Sequence, residues 1–81
     1  MVEVRFDKNF ARLFSKLDKF MKEKISKQVK KVLENPEVGK PMKNIRKGTR
    51  ELYVSPFRLS YFYDKKEGII YVLDLYHKKR Q

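Results

Sequence analysis

Residues 50–76 read RELYVSPFRLSYFYDKKEGIIYVLDLY, and the alternation within them decides the fold. Leu52 and Val54 alternate with polar neighbours, Ser55-Pro56 marks a turn, and Leu59 and Tyr61 alternate with Arg58, Ser60 and Phe62. Asp64-Lys65-Lys66-Glu67-Gly68 is a hairpin loop that ends in glycine. Residues 69–76 are apolar on both faces for most of their length, which predicts an interior strand. Side-chain parity assigns Leu59 and Tyr61 to a covered face and Arg58, Ser60 and Phe62 to the opposite one.

The preceding residues supply the cover. Val2, Val4 and Phe6 form a short strand, and Asp7 is a plausible helix N-cap. Phe10, Leu13, Phe14 and Leu17 recur at helical spacing. After a break near Leu17-Asp18, Met21, Ile25, Val29, Val32 and Leu33 make a second apolar stripe, and Asn35-Pro36 ends it. Two short helices in succession predict a helical hairpin. Residues 35–49 are a loop by composition, with Pro36, Pro41, Gly39 and Gly48, and the glycine spacing is not that of a P-loop. The element order is β-α-α-β-β-β: an α+β fold with an antiparallel sheet and a two-helix hairpin packed on one face, in a single domain over residues 1–81. The other face is left for a ligand.

The chain has 81 residues, so there is no room for a separate cofactor domain. It has no cysteine and one histidine, which excludes disulfides, thiol nucleophiles, zinc sites of the cysteine type and a two-histidine ribonuclease pair. No metal or small-molecule cofactor is expected. Lys+Arg number 21 against 10 Asp+Glu, a formal net charge of +11 that points to a polyanionic partner. No apolar run approaches a membrane span and the N-terminus lacks a signal-peptide core, so a cytoplasmic protein with no membrane partner is expected.

An Arg58 held on a strand can dock a phosphate bidentately; the same residue could instead pair with Glu51 or Asp74 across the sheet. His77, among cations near the end of the chain, is an acid/base candidate or a bystander. Cleavage of RNA by its 2′-hydroxyl needs a base, a cation for the phosphorane and an acid for the leaving oxygen; Arg58 could supply the cation, and His77, Tyr76 or a lysine could shuttle protons. The lysines of the second helix are either a solvated face or a binding face. Tyr53, Tyr61, Phe62, Tyr63, Tyr71 and Tyr76 could stack bases where exposed, although strands favour aromatics in any case.

The segments Asn35-Pro36, Gly39-Lys40-Pro41-Met42-Lys43, Lys47-Gly48, Arg50-Glu51-Leu52-Tyr53-Val54 and Phe57-Arg58-Leu59-Ser60-Tyr61, in this element order, resemble the RelE/ParE toxin superfamily. The closing strand and its His77-Lys78-Lys79-Arg80 end are similar to the family's His-Arg-Arg-type end. The resemblance spans essentially the whole chain. It implies a RelE-like fold and a toxin of a type II toxin–antitoxin pair: a metal-independent, ribosome-dependent endoribonuclease that cuts mRNA and inhibits translation. Its partners would be a cognate antitoxin protein, the ribosome and mRNA. Arg58 matches the arginine that contacts the scissile phosphate, Lys78 the basic catalytic residue after the last strand, and His77 the histidine found there in many members. Lys40, Lys43, Arg46 and Lys47, with Lys79 and Arg80, match basic positions that would track RNA. The family commonly carries Arg-x-Arg where this chain has Glu51 and Tyr53; the Glu-Leu pair resembles the HigB branch. Many members also have a tyrosine beyond the basic end, where this sequence stops at Gln81, leaving Tyr76 or His77 as substitutes. The resemblance leaves two other functions open: gyrase poisoning in the manner of ParE, or RNA and ribosome binding without catalysis.

Overall fold

The computed structural model describes residues 2–43 and 47–77. In chain order they form β1 (Glu3–Phe6), α1 (Lys8–Ser15), α2 (Lys19–Glu34), β2 (Lys40–Pro41), β3 (Arg50–Val54), β4 (Phe57–Asp64) and β5 (Ile69–His77). Both helices start where short acidic side chains can take a free backbone N–H. Asp7 accepts from the Asn9 N–H at 3.0 Å, and Asp18 accepts from that of Met21 at 2.8 Å. Each such cap contributes about 1 kcal/mol.

The strands form one sheet in the order β1-β5-β4-β3-β2. The expected α+β class and helix pair stand, with two differences in the sheet. It is mixed rather than antiparallel throughout, because β1 pairs in parallel with β5. It also gains β2, within the segment read as loop, pairing Lys40 with Glu51 and Pro41 with Arg50. That short strand has identifiable anchors. The Tyr61 hydroxyl donates to the Pro36 carbonyl at 2.7 Å and accepts from the Gly39 N–H at 2.9 Å, while Arg50 donates to the carbonyls of Glu37 and Gly39. Gly39 leaves room for this: a Cβ there would lie 2.8 Å from the Tyr61 ring and hydroxyl.

Phe10 of α1 and Ile25 and Val32 of α2 pack with Val54, Leu59, Tyr61, Ile70, Val72 and Leu75 in one buried cluster. The helices therefore cover the sheet face that carries Leu59 and Tyr61, as parity predicts. Gly68 closes the β4–β5 hairpin at φ 69°, a left-handed conformation that suits glycine.

A feature of β5 governs the placement of its C-terminal half. Tyr61 pairs with Val72 but Ser60 pairs with Asp74, so Leu73 is passed over. A β-bulge of this kind inverts the alternation. Before it, Ile70 and Val72 point to the helices; after it, Leu75 does so, together with His77.

Candidate functional site

Directly paired residues of a ladder share a face. On the face away from the helices this gives two adjoining rows. One runs Tyr53, Arg58, Tyr76; the other runs Lys40, Glu51, Ser60, while Asp74, which follows the bulge and pairs with Ser60, turns its carboxylate to the Asn9 side chain of α1. Beyond the bulge Phe62 pairs with Tyr71, and their rings stack 6.2 Å apart. Tyr53 and Phe62 are large exposed rings of this face, at 52% and 39%.

Arg58 is the centre of the first row. Its guanidinium carbon lies 6.0 Å from the centroid of the Tyr53 ring, at the outer reach of a cation–π contact. One of its terminal nitrogens is 3.7 Å from Glu51 Oε1, and its side chain keeps a quarter of its surface exposed. The Glu51 residue is 3% exposed. Its other oxygen, Oε2, accepts a hydrogen bond from the Tyr76 hydroxyl, which reaches it across β4. Burying a carboxylate is costly unless cations and donors compensate, and here one of each converges on it. The compensation is incomplete: Glu51 Oε1, Arg58 Nε and Ser60 Oγ are buried without a hydrogen-bond partner among the described residues.

The sequence-derived site residues divide between the two faces. Arg58 and Tyr76 are direct cross-strand partners on the open face, joined there by Lys40 in the adjoining row. His77 is not brought to them. It pairs with Phe57, its ring edge-on at 5.9 Å, and borders a groove with Arg12, Leu13 and Leu75 on the helix side. Lys43 and Lys47 are exposed in the loop before β3. Arg46, Lys78, Lys79 and Arg80 lie outside the described residues. Of the two partners foreseen for Arg58, Glu51 is the one found; Asp74 accepts instead from the Asn9 side chain at 2.8 Å. Sequence reading singled out Glu51 only as a departure and as that alternative partner, and missed its bond to Tyr76. The signal was the position: within a strand, on the same face as Tyr53, where a carboxylate lies in reach of cross-strand donors. Among the described residues no three His, Cys, Asp or Glu side chains are gathered to hold a metal ion. No described helix is long and apolar enough to cross a membrane.

A second surface lies on the helix side. Phe6, Phe10, Ala11, Phe14, Ser26 and Val29 line an apolar groove, with Phe6 half exposed and stacked on Phe10 at 5.5 Å. Ser26 is shared with an adjacent shallow surface of Lys19, Lys22, Lys27 and Lys30.

A family model described as the ParE toxin of the type II toxin–antitoxin system, parDE, matches residues 2–81. A search of curated proteins finds no match. Among solved structures, the chain is similar to the RelBE2 toxin–antitoxin complex from Mycobacterium tuberculosis, with a TM-score of 0.84 at 24% identity over 95% of this chain and 98% of that one. The isolated Escherichia coli RelE toxin gives 0.82 at 20% identity, over 100% and 88%. The archaeal RelE–RelB complex from Pyrococcus horikoshii gives 0.80 at 17% identity, over 99% and 98%.

Proposed function

From the premise that the chain belongs to the ParE toxin family of type II toxin–antitoxin systems, we propose that it is a ribosome-dependent endoribonuclease that cuts mRNA. The observation that carries this is the direct pairing of Arg58 with Tyr76 on an open sheet face flanked by Tyr53, Phe62 and Lys40. Such a face holds a cation on a rigid strand, a hydroxyl able to exchange a proton, and rings on which unstacked bases can lie. The net charge of +11 draws the chain to RNA.

In the reaction the 2′-hydroxyl attacks the adjacent phosphorus. Arg58 donates to the non-bridging phosphate oxygens, whose charge grows in the phosphorane, and Tyr76 lies beside it for proton transfer. Lys40, Lys43 and Lys47 hold the RNA backbone from the β2–β3 side, and Arg46, outside the described residues, is assigned the same class of contact by its match to the family's basic positions. Lys78, Lys79 and Arg80 are assigned the same class of contact by their match to the family's basic end, with Lys78 supplying a second charge near the phosphate. His77, facing the helices, is assigned to anchoring the end of β5.

Two of the similar structures are toxin–antitoxin complexes, and a cognate antitoxin is the proposed protein partner here. The groove of Phe6, Phe10 and Phe14 beside a lysine row suits an amphipathic segment with an acidic face.

The description of the matching family as ParE favours a second reading, gyrase poisoning without RNA cleavage. A translating extract mapped by primer extension, run beside a gyrase supercoiling assay, separates the two. New 5′ ends within codons support the endoribonuclease; intact mRNA with trapped gyrase supports the second reading.

A further inference from the structure

We propose that Glu51 is a positioning residue that makes Tyr76 a general base: the pair relays the proton of the attacking 2′-hydroxyl into the sheet. The proposal rests on the endoribonuclease reading and adds to it a residue that the family resemblance marks only as a departure.

The Tyr76 hydroxyl donates its one proton to Glu51 Oε2. With that proton committed, the phenolic oxygen can only accept from a further donor. A tyrosine so oriented presents a lone pair to a substrate hydroxyl. An isolated phenol is a poor proton acceptor near neutrality, but one that passes its own proton to a carboxylate as it receives another acts with the carboxylate's basicity.

Glu51 is suited to the receiving role by its surroundings. It is buried within β3, between the paired strands β2 and β4, so it is held by the sheet and shielded from water. Three charged or titratable groups face it: its cross-strand partner Lys40 on β2, Arg58 on β4 and Tyr76 on β5, while Asp74 of β5 turns to Asn9 of α1. Arg58 places a terminal nitrogen 3.7 Å from Oε1, and Lys40 adds a second positive charge on the same row. Oε1, without a hydrogen-bond partner among the described residues, leaves the carboxylate less stabilised than full pairing would.

The O2′–H proton moves to Tyr76 Oη while the Tyr76 proton moves to Glu51 Oε2. The O2′–P bond forms and the P–O5′ bond breaks, leaving a 2′,3′-cyclic phosphate. The departing 5′-oxygen takes a proton from solvent water. Arg58 stays charged throughout, donating to the phosphate.

The test is single-turnover cleavage of mRNA on programmed ribosomes with wild type, Glu51→Gln, Tyr76→Phe and the double variant. Binding is read separately with an mRNA carrying a 2′-deoxy sugar at the cleavage site. The relay predicts a loss of about 100-fold or more for each single variant, with binding retained. It predicts that the double variant is no worse than either single one, since the two residues act as a unit. Additive losses, or a Glu51→Gln protein that cuts at the wild-type rate, would overturn the relay while leaving the endoribonuclease reading standing. A wild-type protein that cuts no mRNA overturns both. If Glu51→Gln does not fold, the comparison rests on Tyr76→Phe, which keeps the ring: undiminished cleavage by that variant overturns the relay.

Discussion

Arg58 and His77 stand on opposite faces of the β4–β5 ladder. Arg58 pairs with Tyr76 on the open face, so the next residue, His77, pairs with Phe57 on the helix side. The bulge at Leu73 is what exchanges them. Without it, the alternation set by Ile70 and Val72 would bring His77 to the open face and turn Tyr76 toward the helices.

This exchange separates the two residues in a kinetic experiment. His77→Ala removes the edge-on contact with Phe57, an arrangement worth about 0.5–1.5 kcal/mol. Its cleavage rate should fall by less than about 10-fold, well short of the loss expected of a general acid or base. Single-turnover rates, with circular dichroism to verify folding, measure this. A folded His77→Ala protein slowed by 100-fold or more would return His77 to the chemistry.

The loop that delivers Lys40 depends on a buried phenol, and alkaline pH tests it. Burial, foremost, raises the Tyr61 pKa above its usual 10.0; Glu37 adds to this, while the Gly39 N–H and Arg50 oppose it. The native state therefore holds the proton more tightly than the unfolded chain does. The stability gained is full below pH 10 and is lost as pH climbs from there through the folded-state value. Tyr61→Phe leaves the Gly39 N–H without its acceptor, at a cost of about 1–3 kcal/mol near neutrality, and should flatten the alkaline decline. Urea unfolding at neutral and alkaline pH reads both. Equal alkaline slopes for the two proteins would remove Tyr61 as their source.

The helix-side groove and the open face should fail independently. Phe6 is half exposed, so Phe6→Asp should spare the fold while placing a charge at the mouth of the apolar groove. Loss of a central aromatic anchor from such an interface typically costs 2 kcal/mol or more, about 30-fold in affinity. Co-purification with the antitoxin should weaken accordingly, with cleavage of mRNA unchanged. Retained antitoxin affinity would place the partner elsewhere.

How much of this was legible in the sequence follows from the kind of pattern each element carries. Alternation in residues 57–63 has polar and apolar sides, so it placed Leu59 and Tyr61 inside and Arg58 opposite them correctly. Asp7 and Asn35-Pro36 mark helix ends by local chemistry, and the helices begin and stop there. Residues 69–76 offered no such contrast. A run apolar on both sides conceals a bulge, and with it the faces of Tyr76 and His77. The parallel partner of β5 was hidden too, because β1 is far away in sequence and nothing local specifies its direction. Glu51 was legible as an anomaly, but its bond to Tyr76 depends on two strand registers at once, which single-strand patterns do not encode.

The most direct test of the central claim is the cleavage rate of Arg58→Ala on programmed ribosomes, mapped by primer extension beside wild type and Arg58→Lys. Arg58 keeps a quarter of its side chain in solvent and is no part of the buried apolar cluster, so the alanine variant loses no core packing; it does lose the cation beside the buried Glu51, which Tyr76 still holds, and circular dichroism verifies that the protein compared is folded. The account predicts wild-type cleavage within codons and a loss of about 100- to 1000-fold for Arg58→Ala, the range for removing one transition-state donor. Arg58→Lys should recover little, because an ammonium cannot reproduce the planar fork. A folded Arg58→Ala protein that cuts mRNA at the wild-type rate would contradict it.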